Sequence, residues 1–204
     1  LEYIVVDGGS TDNSMEIINR YKTEISAIIS ERDSGPPNAI NKGFRKATGD
    51  VLAWLNSDDL YYPGALRRVA DAMERHPGVS LCFGHCPIID ENGNEIRKPI
   101  TRFKELFFPV SCRFTLQCIN YISQPATFFR RSACDKAGPL RESIENAWDY
   151  HLIIRLLRYG RSMWIRNPPL AAFRWYETSL SGTNFRKQFE EEWMIAAEDA
   201  GRFS

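Results

Sequence analysis

Two adjacent carboxylates, Asp58 and Asp59, stand just past the apolar run Val51-Leu52-Ala53-Trp54-Leu55, with only Asn56 and Ser57 between. Neighbouring acids repel, and a cation between them is the simplest way to keep both ionised. Oxygen ligands with open positions suit Mg²⁺ or Mn²⁺ shared with a phosphate-bearing substrate. A helix start before Leu60 is the competing explanation, because acids are common there. The pair alone does not decide between the two. A second junction does: Tyr3-Ile4-Val5-Val6 ends in Asp7-Gly8-Gly9-Ser10-Thr11-Asp12. Again a carboxylate follows a short β-branched run, with glycines that let backbone approach a ligand closely. A capped helix accounts for Asn13 and Glu16, which have capping-box spacing. It leaves Asp7 unexplained.

Acids used this way need strands whose carboxyl ends share an edge, where ligands bind in open α/β sheets. The run 51–55 is apolar on both faces and reads as a central strand of a covered parallel sheet. Strands are also expected over 3–6, 27–30 and 80–84. Helices are expected over 14–21, from Gly35-Pro36-Pro37 to a Gly49 cap, and from Pro63 with Leu66, Val69, Ala70 and Met73 on one face. This alternation defines an α/β fold. Beyond it the pattern changes to a hairpin over 88–96 around Asn92-Gly93, an ambiguous aromatic stretch over 101–117, and a strand over 126–130. A helix over 148–159, strands over 162–166 and 170–176, and a charged helix over 185–200 complete the chain.

The 204 residues suffice for one large domain with a real core. Lys+Arg and Asp+Glu are 26 each, so no field for a polyanion exists and nucleic acid is not the expected partner. Five widely spaced cysteines show no zinc spacing, which suggests reduced thiols and a cytoplasmic protein. No apolar stretch reaches the roughly 18–20 residues of a membrane span, and no signal peptide is visible.

Five blocks together carry a resemblance: residues 5–12, Ser30-Glu31-Arg32-Asp33-Ser34-Gly35, Ala39-Ile40-Asn41-Lys42-Gly43, Ala47-Thr48-Gly49-Asp50 and Leu55-Asn56-Ser57-Asp58-Asp59. In this order the chain resembles family 2 glycosyltransferases of the GT-A fold. The resemblance implies a three-layer sandwich with a mostly parallel central sheet and a mixed carboxyl-terminal half. It implies one domain over 1–204, with a nucleotide-sugar half over 1–97 and an acceptor half with the last helix over 98–204. The implied reaction moves a sugar from a nucleotide diphosphate donor to an acceptor hydroxyl, with inversion and with Mn²⁺ or Mg²⁺. A UDP- or dTDP-linked donor and a carbohydrate or lipid-linked acceptor are the implied partners, in the cytoplasm or at the inner face of a membrane.

Carried onto this chain, Asp7, Gly8, Asp33 and Asp58 would contact the nucleotide, and Asp59 with Asp58 the metal. Gly8 stands where many relatives have a second acid, and Asn56 where the acidic motif often begins. The chain also starts where the second strand of such enzymes would start, as though the first were missing. Asp149, in Ala147-Trp148-Asp149-Tyr150-His151-Leu152, matches the position of the acceptor's base, with Glu145 as the fallback. Without the family match, a first-turn acid complementing the helix dipole is the simpler account of Asp149. His151 points away from it on a helix and is read as structural. Gln124 is expected on the acceptor side or as a plain strand entry. Arg174 is expected on the leaving phosphate or in an exposed ion pair, ahead of a mobile loop over 179–182. Trp54, Phe128 and Phe129 are assigned to core. A nucleotidyltransferase would need a Gly-rich basic phosphate loop that is absent, whereas a non-catalytic binding or scaffold module keeping the fold stays open.

Overall fold

A computed structural model of the chain describes residues 1–177 and 184–201. Among the described residues, three hydrogen-bonded sheets and eight α-helices are interspersed along the chain, an α/β arrangement. In the first sheet β1 (Ile4–Asp7) pairs in parallel with β2 (Ala27–Ser30), so that Asp7 stands level with Ser30. Helix α1 (Ser14–Arg20) connects them, and α2 (Pro36–Lys46) packs on β1. Gly43 lets it approach closely: a Cβ there would stand 3.3 Å from a Val6 methyl.

The second sheet has the order β3 (Val51–Leu52), β8 (Thr127–Arg130), β5 (Val79–Gly84), β9 (Arg161–Ile165). The third has the order β4 (Leu60–Tyr61), β10 (Ala171–Arg174), β6 (Ile88–Ile89), β7 (Glu95–Ile96). Both are mixed, with β5–β9 and β6–β10 parallel and the other pairs antiparallel. The expected hairpin at Asn92-Gly93 is present as β6–β7, with Gly93 at φ +85. Helix α3 (Ala65–Arg75) precedes β5, with Ala72 buried where Ala70 had been expected. The ambiguous stretch forms α4 (Lys98–Glu105), a 3-10 turn and α5 (Arg113–Cys118). Helices α6 (Arg131–Ala137), α7 (Trp148–Leu156) and α8 (Phe185–Asp199) follow.

Three local readings change. The run 51–55 is not a central parallel strand: only Val51 and Leu52 are in the ladder, antiparallel to β8 and at the end of the strand order. The chain leaves the ladder because the Trp54 carbonyl accepts from the Gln124 side chain, 2.9 Å away, while the indole packs among aromatic rings. No helix starts at Leu60, so helix capping does not explain Asp58 and Asp59. No capping box forms either, since Asn13 makes no side-chain cap and Glu16 pairs with Arg20.

The larger core joins both halves of the chain: Leu52, Leu81 and Phe83 pack with Phe108, Leu116, Tyr121, Phe129, Trp148 and Leu152. Polar side chains also stitch the halves. Asn41, 4 % exposed on α2, exchanges two hydrogen bonds of 2.9 Å with the Leu140 backbone. Asp199, from α8, accepts from Arg113 and Gln117 near α5 and from Arg158 beyond α7.

Candidate functional site

The strand end at Asp7 is a self-contained anionic turn. Its buried carboxylate accepts from the Gly9 and Ser10 amides and, at 2.7 Å, from the Ser30 hydroxyl. Hydrogen bonds from Ser10 and Ser30 hold its pKa below the usual carboxylate range, against the opposing effect of burial. The ionised group fixes the loop that follows, with Gly9 at φ +87. Gly8 has a separate reason to be glycine: a Cβ would lie 2.5 Å from an Asp33 carboxylate oxygen. Asp33 in turn accepts from the Gly35 amide, so Asp7, Gly8 and Asp33 form one surface beside the amino end of α2.

The acid pair at 58–59 diverges. Asp58 is half-buried and accepts from the Tyr176 hydroxyl at 3.1 Å. Asp59 is 8 % exposed, and its oxygens accept one bond each, from the Arg174 amide (2.8 Å) and the Asn56 side chain (3.2 Å). Burial, aided by the charge of Asp58, pushes its pKa up to about 6. A carboxylate with one bond per oxygen keeps lone pairs for a cation, and an acid disfavoured by burial and a like neighbour is one that a dication would stabilise. Among the described residues no group of three His, Cys, Asp or Glu could hold a metal ion. Two acids with the remaining positions left to phosphate and water is the pattern typical of Mg²⁺.

Arg174 is partly buried, and among the described residues no ion pair holds it. Its guanidinium donates to the carbonyls of Asp58, Asp90 and Glu91, clamping the acid loop to the β6–β7 hairpin. Residues 179–182, expected as a loop near the diphosphate, lie outside the described residues.

A junction of aromatic rings links the acid loop to α7. The ring centroids of Trp54 and Trp148 are 5.6 Å apart, and Trp54 also meets Phe44 and Phe129. Gln124, 7 % exposed, spends its amide on the Trp54 carbonyl and so braces this junction. Asp149 follows Trp148 directly in the first turn of α7, where one oxygen accepts from the Tyr150 amide. Burial pushes its pKa up to about 6; nearby Glu192 adds to the rise and Lys104 opposes it. Lys104, on α4, is itself held below the ordinary lysine value by burial, while the charges of Glu192 and Asp149 oppose that lowering. Cys86, which burial pushes up to about 12, is influenced by both Asp59 and Lys104.

Glu145 lies apart from these groups, exposed and paired with Lys187. His151 is 4 % exposed, its pKa lowered to about 4 by burial and nearby arginines, as befits a structural residue. Sequence reasoning missed Lys104 and Glu192 because each is a single charge within an otherwise charged helix. The one available signal for Lys104 was its place beside Thr101 and Phe108 on the buried side of an ambiguous segment.

Residues 1–138 match the glycosyl transferase family 2 profile, and the chain belongs to that family. An uncharacterized glycosyltransferase of Nostoc sp. is 31% identical over 146 residues, which cover 69% of this chain and 45% of that protein. The fold matches S. aureus TarS bound to UDP-GlcNAc, with a TM-score of 0.74 and 17% identity over 97% of this chain and 57% of that one. It also matches a mannosyltransferase of Pyrobaculum calidifontis bound to GDP-Man and Mn²⁺, with a TM-score of 0.70 and 18% identity over 100% of this chain and 56% of that one. The α/β architecture is thus of the GT-A type, and the chain spans about half the length of such proteins.

Proposed function

We propose that this chain moves a sugar from a nucleotide diphosphate donor to an acceptor hydroxyl, with inversion and with a divalent cation. The observation that carries the reading is the Trp54–Trp148 contact braced by Gln124, which ties the acid loop to the helix start bearing Asp149. The loop carrying Asp58 and Asp59 and the helix start carrying Asp149 then share one aromatic cluster. The nucleotide sugars bound to S. aureus TarS and the P. calidifontis mannosyltransferase, one with Mn²⁺, support the donor class.

In this reading Asp7 and Asp33 present the nucleoside surface, and Gly8 leaves room for it. Asp59, with Asp58 beside it, holds the cation, and Asp58 with Tyr176 borders the ribose. A bound Mn²⁺ or Mg²⁺ would offset the charge that grows on the departing diphosphate. Arg174 keeps the acid loop in place through three carbonyls. Asp149 accepts the proton of the acceptor hydroxyl while that hydroxyl's oxygen attacks the anomeric carbon on the face opposite the diphosphate, which leaves with the electron pair of the broken bond, so that the centre inverts. Lys104 favours the ionised form of Asp149, and Glu192 limits that effect.

Titration of UDP-sugar with and without Mn²⁺ tests the donor site. Asp59→Asn should abolish metal-dependent binding while the fold stays intact, and undiminished binding would remove the metal site. Binding without any transfer would leave a nucleotide-binding module.

The pH profile tests the base. Asp149 must be ionised to accept a proton, and its pKa lies near 6. Transfer should therefore rise with pH through about 6 and level off above it. A profile that is flat between pH 5 and 7 would remove Asp149 from the proton transfer.

Gly8→Ala separates site from stability. The clash is with the end of one side chain, so Asp33 can swing aside and stability should change by less than about 1 kcal/mol. Donor affinity should fall because the displaced carboxylate enters the nucleoside surface. Equal affinity in both proteins would place the donor elsewhere.

A further inference from the structure

Helix α4 is amphipathic in the reverse sense. Its inner side carries polar groups: Thr101, Lys104 and Glu105 line a cleft with Cys86, Phe108 and Ser123. Its outer side carries exposed apolar side chains, and the 3-10 turn and α5 that follow in the chain expose more. Ile100 is 45 % exposed, Phe103 51 %, Leu106 71 %, Val110 60 % and Phe114 72 %. Helices on a water-facing surface turn their polar side outward. Five large apolar side chains within 15 residues facing out mark a surface that meets something other than water.

The charges around this face indicate what it meets. Residues 97–118 hold five basic side chains (Arg97, Lys98, Arg102, Lys104, Arg113) and one acid (Glu105), in a chain whose formal net charge is zero. Lys98 and Arg102 are exposed beside the apolar patch, whereas the Arg97 guanidinium stacks on the Trp175 ring, 3.5 Å from its centroid; Glu95, 3.5 Å from Lys98, is the acid at the edge of the patch. Lys104 turns inward to the cleft, and Arg113 is held by Asp199. A second apolar surface on α8 carries Phe185, Phe189 and Trp193, but its basic neighbours Arg186 and Lys187 are already paired with Glu190 and Glu145.

We infer that the outer face of α4 and α5 docks on the surface of an anionic lipid bilayer. The aromatic and aliphatic side chains enter the headgroup boundary, and the basic side chains meet the lipid phosphates. Among the described residues no helix is long and apolar enough to cross a membrane, so docking would be peripheral. The inner side of the same helix lines the cleft that holds Lys104, whose charge acts on Asp149. A bilayer on the outer face would present a lipid-linked acceptor to this side of the chain. This last step rests on the glycosyl-transfer reading, whereas the docking does not.

Flotation of the full chain with phosphatidylcholine vesicles, and with the same vesicles containing phosphatidylglycerol, tests the inference. Binding should require the anionic lipid and weaken as salt is added. The triple variant Phe103→Ser/Leu106→Ser/Phe114→Ser should lose at least about tenfold in partition, because each apolar group removed weakens insertion. Arg102→Gln should lose about fivefold. Phe189→Ser on α8 should partition like the parent protein. Absence of binding to the anionic vesicles, or equal binding of the triple variant, overturns the inference. A concentration-dependent dimer in lipid-free solution that the triple variant abolishes would also overturn it, assigning the face to a second copy of the chain. Metal-dependent UDP-sugar binding, measured on the same variants, reports separately on the donor site and should match the parent protein.

Discussion

Replacing Asp149 by Asn should lower sugar transfer by about 10²–10⁴-fold while donor affinity stays near that of the parent protein. The amide matches the carboxylate in size and can still accept the Tyr150 N–H, so the first turn of α7 keeps its geometry. What it loses is basicity. The neutral side chain also removes a charge that burial disfavours, so the variant should be no less stable above pH 6. The sign follows from the raised pKa: the cost of the buried charge is fully present above about 6 and relieved by protonation below it. Steady-state kinetics beside a nucleotide titration separate the outcomes. Unchanged turnover would pass the role to Glu145 or deny catalysis, and lost donor binding would make Asp149 part of the nucleotide site.

Phe129→Ala should cost about 3–5 kcal/mol, the range for removing a buried ring. Phe129 is fully buried on β8, level with Leu52 on β3 and Leu81 on β5. Its ring touches Phe44 at 5.5 Å and Trp54 at 5.6 Å. At about 2–4 °C per kcal/mol for a protein of this size, the midpoint should fall by roughly 6–20 °C. Urea denaturation should show a lower midpoint with an unchanged slope. Because Trp54 leans on this ring and on Trp148, transfer should also fall at temperatures where the variant is folded. A loss under about 1 kcal/mol would mean that neighbouring rings refill the space.

Much of this arrangement was legible in the sequence because it is local. The β-branched runs, the Pro36-Pro37 helix start and the Asn92-Gly93 turn each fix their own conformation. The core assignments of Trp54, Phe128 and Phe129 also hold. What the sequence hid was pairing between distant segments. Residues 51–55 look like a buried parallel strand because apolarity reports burial and not the direction of the neighbour. Trp54 is covered by rings, and its carbonyl is taken by a side chain 70 positions later. Helix α6 begins directly after β8, with no glycine or proline to announce it. At the site, the acids at strand ends were visible, but the hold of Arg174 on the acid loop was not. A cation bound to three carbonyls leaves no signature in its own neighbourhood of the chain.

Glu191 shows what kind of change the last helix can tolerate. Its carboxylate gathers the amides of Glu145 (3.1 Å), Asn146 (2.8 Å) and Ala147 (2.9 Å), the turn that opens α7 two residues before Asp149. Substitutions on the outer side of α8 leave that grip alone. A one-residue insertion or deletion upstream of Glu191 within α8 would rotate it by about 100° and take its charge off the three amides. Lineages of this protein should therefore drift in composition along the exposed side of α8 yet conserve its length between Asn184 and Glu191, as a ratchet keeps its tooth count while its metal changes.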